Sequence, residues 1–109
     1  MKIVERNAGK KIDYELTGTS LSFADGELTL DLARYQQDDE VTRDIMVDSE
    51  GYLTNGRGRY YAAQVEIPAK EYEETEPENE GDEVERTALP LDTDKVTLYL
   101  FSVEGILIR

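Results

Sequence analysis

The chain has 109 residues and carries 25 Asp and Glu against 12 Lys and Arg, a formal charge of −13, with no Cys, His or Trp. Without thiols or imidazoles there is no disulfide, no Cys- or His-ligated metal, no thiol nucleophile and no Ser-His-Asp triad. Oxygen-ligand chemistry with Ca²⁺ or Mg²⁺ and acid–base work by paired carboxylates remain open.

This length suits one domain with one small core. The first residues, Met1-Lys2-Ile3-Val4-Glu5-Arg6, have charges at close intervals and no apolar stretch of the signal-peptide kind. No window of 18 apolar residues occurs, so a cytoplasmic protein without membrane contact is expected. Asn7-Ala8-Gly9-Lys10 is expected to turn the first strand back onto residues 11–16, where Ile12, Tyr14 and Leu16 alternate with Asp13 and Glu15. Asp25-Gly26 lies between Leu21-Ser22-Phe23 and Leu28-Thr29-Leu30, the strongest hairpin signal in the chain.

Residues 32–46 contain good helix formers, but Val41, Ile45 and Val47 share strand parity. The pattern favours two strands with a polar turn at residues 36–40. Turns at Asp48-Ser49-Glu50-Gly51 and Asn55-Gly56 bracket Tyr52-Leu53-Thr54. A strand over 60–68 follows, then one over 87–91, then Val96, Leu98 and Leu100 alternating with Thr97 and Tyr99. Ile106-Leu107-Ile108 comes last. Turn signals every 8–12 residues predict an all-β domain, a small antiparallel sandwich or open barrel of about seven or eight short strands. The expected core is Ile12, Tyr14, Leu16, Leu21, Phe23, Leu28, Leu30, Leu32, Ile45, Val47, Val65, Ile67, Leu89, Val96, Leu98, Leu100 and Ile106.

One segment stands apart. Residues 70–86, KEYEETEPENEGDEVER, hold nine carboxylates against two bases, −7 of the total −13. Only Tyr72 and Val84 are apolar, too little burial to offset ordering entropy, so residues 73–83 are expected to form a long, mobile, disordered acidic loop. Its carboxylates, Glu71, Glu73, Glu74, Glu76, Glu78, Glu80, Asp82, Glu83 and Glu85, are the candidate interaction loop.

The acidic groups at Asp38-Asp39-Glu40, Asp48-Ser49-Glu50 and Asp92-Thr93-Asp94 lack the calcium-loop pattern and read as turn residues. Asn55-Gly56-Arg57-Gly58-Arg59-Tyr60-Tyr61 joins positive charge to aromatics. Two Arg fall short of a nucleic-acid surface, and the net charge opposes one. They are expected to neutralise nearby carboxylates. Ile106, Leu107 and Ile108 cannot all face one core in an extended segment. Either that strand is central, or one face meets another subunit. Together with Tyr99 and Phe101 they form the candidate interface of a homo-oligomer.

These features predict no enzyme, catalytic residue, metal or cofactor. They point to a non-enzymatic interaction or assembly protein acting on a protein partner, without direct nucleic-acid binding. In general character the chain looks like small prophage-encoded virion or accessory proteins, with no motif carrying that likeness. An acidic nucleic-acid mimic that inhibits a basic protein, and a calcium- or carbohydrate-binding β-module, are the alternatives.

Overall fold

Residues 1–75, 81 and 85–108 are described by the structure, a computed structural model. In them the period-two alternation becomes ten short strands in three sheets, and none of the sheets closes into a barrel. The chain is therefore all-β, apart from a single α turn, α1 (Leu32–Tyr35), and a 3-10 turn at Thr93–Lys95.

The hairpin signal at Asp25-Gly26 forms as predicted. Strands β2 (Tyr14–Thr17), β3 (Ser20–Phe23) and β4 (Leu28–Asp31) make an antiparallel meander, with Phe23 opposite Leu28. The larger sheet comprises β1 (Lys2–Glu5), β5 (Val41–Val47), β6 (Leu53–Asn55), β7 (Tyr60–Ile67) and β10 (Thr97–Leu100). Across that sheet the order is β1, β10, β7, β5, β6. Leu21, Phe23 and Leu30 of the meander lie in one buried cluster with Ile45, Val47, Val65 and Leu98 of the larger sheet.

Four expectations are corrected. The first strand does not fold back onto residues 11–16. It pairs in parallel with β10, Ile3 opposite Leu98, so the architecture is not purely antiparallel. That pairing makes β10, whose Leu98 and Leu100 are buried, an internal strand, and Asn7 Oδ1 accepts from the Ser102 amide at 2.6 Å. Second, the described residues form ten strands instead of seven or eight, because short edge pieces such as Leu53–Asn55 also pair. Third, Tyr14 and Leu89 are exposed instead of core: Tyr14 sits on the edge strand β2, and Leu89 follows the end of a strand that stops at Ala88. Fourth, residues 106–108 are not a strand. Ile106 and Ile108 pack against the core while Leu107 is 70% exposed, so alternate side chains face in and out at the body's margin.

Of the two strands expected in residues 32–46, only the second forms, as β5; residues 32–35 make the helical turn α1 instead. Asp31 caps α1 by accepting from the Ala33 amide at 3.2 Å. The chain then leaves extended at Gln36, passes the polar residues 36–40 and enters β5.

The acidic segment departs from expectation at its start. Strand β8 (Tyr72–Thr75) pairs with β9 (Glu85–Ala88) as a two-stranded ribbon, so residues 73–75 of the expected loop are in a strand, while residues 76–80, 82 and 83 lie outside the described residues. Glu74 lies opposite Arg86, with Nε 3.7 Å from Oε1, and the Arg86 guanidinium covers the Tyr72 ring at 4.6 Å. Opposite charge and a cation–π contact supply the cross-strand pairing that the apolar count could not. Glu76, Glu78, Glu80, Asp82 and Glu83 lie outside the described residues. The ribbon pairs with neither larger sheet. The Cα radius of gyration is 17.6 Å with extents of 65 × 23 × 21 Å, against about 13 Å for a compact chain of this length.

Strands β5 and β7 carry a bulge. Ile45 pairs with Ala63 but Met46 with Tyr61, leaving Ala62 as the extra residue. This explains two consecutive buried alanines, Ala62 and Ala63, which a strict alternation reading passes over. Beside the bulge, a Cβ on Gly58 would lie 2.5 Å from Met46 Cβ and 2.9 Å from the Val47 carbonyl oxygen. Backbone cannot swing away as a side-chain tip can. Gly58→Ala is expected to cost about 1–3 kcal/mol, read as a lower urea midpoint at unchanged slope. An unchanged midpoint would mean that the turn relaxes freely.

Candidate functional site

The root of the acidic ribbon is tied to the body by short polar contacts. Gln36 Nε2 donates to the Pro68 and Ala69 carbonyls at 3.2 and 3.3 Å. The Lys70 amide donates to the Gln37 carbonyl at 2.8 Å, and Tyr72 donates its hydroxyl proton to Asp38. Lys95 Nζ donates to Glu71 Oε1 at 2.7 Å. Such exposed contacts contribute little stability each, but together they set the direction in which the ribbon leaves. Glu71 is thus part of the root, while Glu73 and Glu74 are exposed on β8 beyond it. Glu85 lies at the start of β9, opposite Thr75.

On the outer face of the larger sheet, Tyr99 donates to Glu66 Oε2 at 2.6 Å, and the Arg6 guanidinium covers its ring at 4.1 Å. The hydrogen bond to Glu66 holds the Tyr99 phenol above its ordinary pKa; desolvation and the Glu66 charge add to this, and Arg6 opposes it. Glu40 is raised as well, first by a hydrogen bond to Glu66 and then by its charge. Tyr72 is raised mainly by its hydrogen bond to Asp38, and Lys95 by its bond to Glu71.

The opposite pole is built differently. Strand β7 spans eight residues, about 23 Å at the usual rise. Its far end carries Tyr60 and Tyr61, 42% and 46% exposed, just after Arg57 and Arg59. The Arg59 amide donates to the Val47 carbonyl at 2.8 Å, fixing the turn against β5. The expectation that Arg57 and Arg59 neutralise neighbouring carboxylates is corrected: neither forms an ion pair with a described residue. The turn is held by backbone, which leaves both guanidinium groups exposed, with Arg59 5.6 Å from the Tyr60 ring.

Phe101 is half-buried and packs on Tyr61 at 5.5 Å between ring centroids. Ile106 and Leu107 line an open hollow with Tyr60 and the Asp48–Gly51 turn residues. A second hollow, of about 520 Å³, has Ile12, Val103, Ile106 and Ile108 on its apolar side and Lys10, Lys11, Asp13, Asp25 and Glu27 among its polar residues. The structure thus brings Phe101, Ile106 and Leu107 to the Tyr60 pole. It keeps Glu71, Glu73 and Glu74 at the other end of β7, and places Tyr99 within a polar network on the sheet face.

Among the described residues no group of three or more acidic side chains is placed to hold a metal ion. Asp48 Oδ1 accepts from the Glu50 and Tyr52 amides at 2.9 Å, and Asp92 Oδ1 from the Asp94 amide at 3.0 Å, so these carboxylates close turns. No helix of the described residues is long and apolar enough to cross a membrane. No family model matches the chain, and neither a curated protein nor a solved structure matches it.

Tyr72 and Tyr99 have folded pKa values above the ordinary value, so each favours folding most fully below that value. That contribution is lost as pH rises through the folded values. In an absorbance titration both phenols are expected to ionise later than in the urea-unfolded chain. Glu66→Gln should move Tyr99 back toward the ordinary range while Tyr72 stays late. A titration curve unaffected by Glu66→Gln would remove the role given to that hydrogen bond.

Proposed function

We propose that this is a non-enzymatic interaction protein that engages a basic surface of a protein partner through its acidic β8–β9 ribbon. The observation that carries this reading is the separation of charge from core. The ribbon pairs with neither large sheet, yet residues 70–86 hold −7 of the net −13. The body, read here as an open sandwich of the five- and three-stranded sheets, serves as its support. An accessory role of the kind filled by small prophage virion proteins is compatible with this design.

The acidic nucleic-acid mimic is kept as a second reading because the small chain carries a net charge of −13. The two readings share the ribbon and differ in whether duplex DNA competes for the partner.

The test uses a lysine-rich peptide as the probe, titrated calorimetrically at low salt. Glu73→Gln, Glu74→Gln, Glu76→Gln and Glu78→Gln are combined in one variant. Glu27→Gln, Asp39→Asn, Glu50→Gln and Glu104→Gln, which remove the same charge from the exposed body, make the second. The ribbon variant should bind roughly tenfold more weakly and the body variant should change far less, because only closely spaced charges act within a Debye length. Equal losses in both variants would mean that net charge alone attracts the peptide, and the proposal would fall.

A further inference from the structure

The Asn55-Gly56 step carries a chemistry that its role as a turn does not use. A glycine after an asparagine has no Cβ to obstruct its backbone nitrogen as it approaches the preceding carboxamide. The surroundings leave room as well, since a Cβ built on Gly56 would meet nothing within 4 Å. What restrains the step is bonding, not crowding.

Three features oppose the approach. The Gly56 amide donates to the Asp44 carbonyl at 2.8 Å, which occupies the nitrogen's proton. Asn55 Nδ2 donates to the Tyr35 hydroxyl oxygen at 3.1 Å, while Asn55 Oδ1 is buried without a partner among the described residues, so the bond to Tyr35 is what holds the carboxamide. Asn55 also ends strand β6, paired with Ile45. Ring closure needs the Gly56 nitrogen eclipsed with the Asn55 Cβ, and extended backbone, with ψ near about +135°, turns it away.

We propose that Asn55 is a deamidation site that the fold holds closed, with β6 as the latch. This strand has three residues and pairs only with β5, so it opens at lower cost than the strands inside the sheet. Once it opens, the Gly56 nitrogen loses its proton to water and attacks Asn55 Cγ. The N–Cγ bond forms, the Cγ–Nδ2 bond breaks with its electron pair, and Nδ2 takes up a proton and leaves as ammonia. Water then adds to either carbonyl of the five-membered imide and opens it to aspartate or isoaspartate at position 55. The isoaspartate routes the main chain through the former side chain and lengthens it by one methylene ahead of Gly56. That displaces the amide from the Asp44 carbonyl, where the turn carrying Arg57 and Arg59 begins.

Peptide mapping by mass spectrometry tests this on the full chain, incubated in buffer and in urea. Asn7 and Asn79, followed by Ala8 and Glu80, serve as internal references. In urea Asn55 should convert first of the three. In buffer its conversion should be at least about tenfold slower than in urea, the cost of opening the latch. Tyr35→Phe keeps the ring that Arg43 covers and removes the hydroxyl. It should raise the rate in buffer about fivefold, the factor that corresponds to one hydrogen bond's net contribution, and leave the rate in urea unchanged. Leu28→Ala weakens the packing of the distant meander against the core and should leave the rate in buffer unchanged, because the opening is local.

Equal rates for Asn55 in buffer and in urea overturn the latch, and so does a Tyr35→Phe rate in buffer equal to that of the wild type. Leu28→Ala accelerating conversion as much as Tyr35→Phe does would place the reaction in the globally unfolded chain and reject β6 as its control. Conversion of Asn55 in urea no faster than that of Asn7 and Asn79 rejects the site itself.

Discussion

Strand β7 is the constraint on which the rest of the molecule depends. It pairs with β5 on one side and β10 on the other, so its Ala63, Val65 and Ile67 side chains lie fully buried in the middle of the larger sheet. Burial of those side chains, at about 25 cal/mol per Å² of apolar surface, fixes its register against both neighbours. The bulge at Ala62 then resets the alternation. Because of it, Ala62 joins the core while Tyr60 and Tyr61 both emerge at the strand's end. A single extra residue thus converts a core strand into an exposed aromatic pole, and Gly58 is needed where the chain runs tight against Met46 and Val47.

Charge is handled by exclusion. No charged or polar residue is fully buried among the described residues, and burial without a hydrogen-bond partner is confined to single atoms, Arg43 Nε, Thr54 Oγ1 and Asn55 Oδ1, which limits the desolvation cost. The remaining −6 is distributed over 92 residues of sequence outside residues 70–86. Glu73 and Glu74 are exposed on β8, which pairs with neither core sheet, and this limits self-repulsion across those sheets. Charged side chains on a free edge discourage pairing with another strand. Lys95 and Glu71 mark the border between the two regimes.

Much of the body was legible because period-two alternation is a strong signal where one face is buried. Leu21, Phe23 and Leu30, or Val96, Leu98 and Leu100, announce their faces directly. What stayed hidden depends on partners distant in sequence. The parallel pairing of β1 with β10 joins residues more than ninety positions apart. No local pattern distinguishes it from a hairpin with residues 11–16. Strand pairing at residues 73–75 was missed for a different reason: composition predicts whether a segment can form a core, not whether it can pair with itself. Glu74 opposite Arg86, and Arg86 over Tyr72, supply cross-strand contacts without a core. Of the candidate site, the acidic segment and the Arg-Tyr cluster were both visible as clusters, but their separation to opposite ends of one strand was not.

That separation also keeps the exposed ends of the molecule out of the energetics of the core. A two-stranded ribbon alone is marginal in water, and this one is held by contacts at its root, where Gln36, Gln37, Asp38 and Lys95 meet residues 68–72. Its exposed carboxylates take no part in the buried cluster that joins the meander to the larger sheet. Changes to the ribbon's exposed surface therefore leave the folding of the body unaltered. The Arg57 and Arg59 side chains enjoy the same freedom, because backbone hydrogen bonding to Val47 holds their turn in place. Both poles can be retuned independently, one strand's length apart, on a core that neither of them enters.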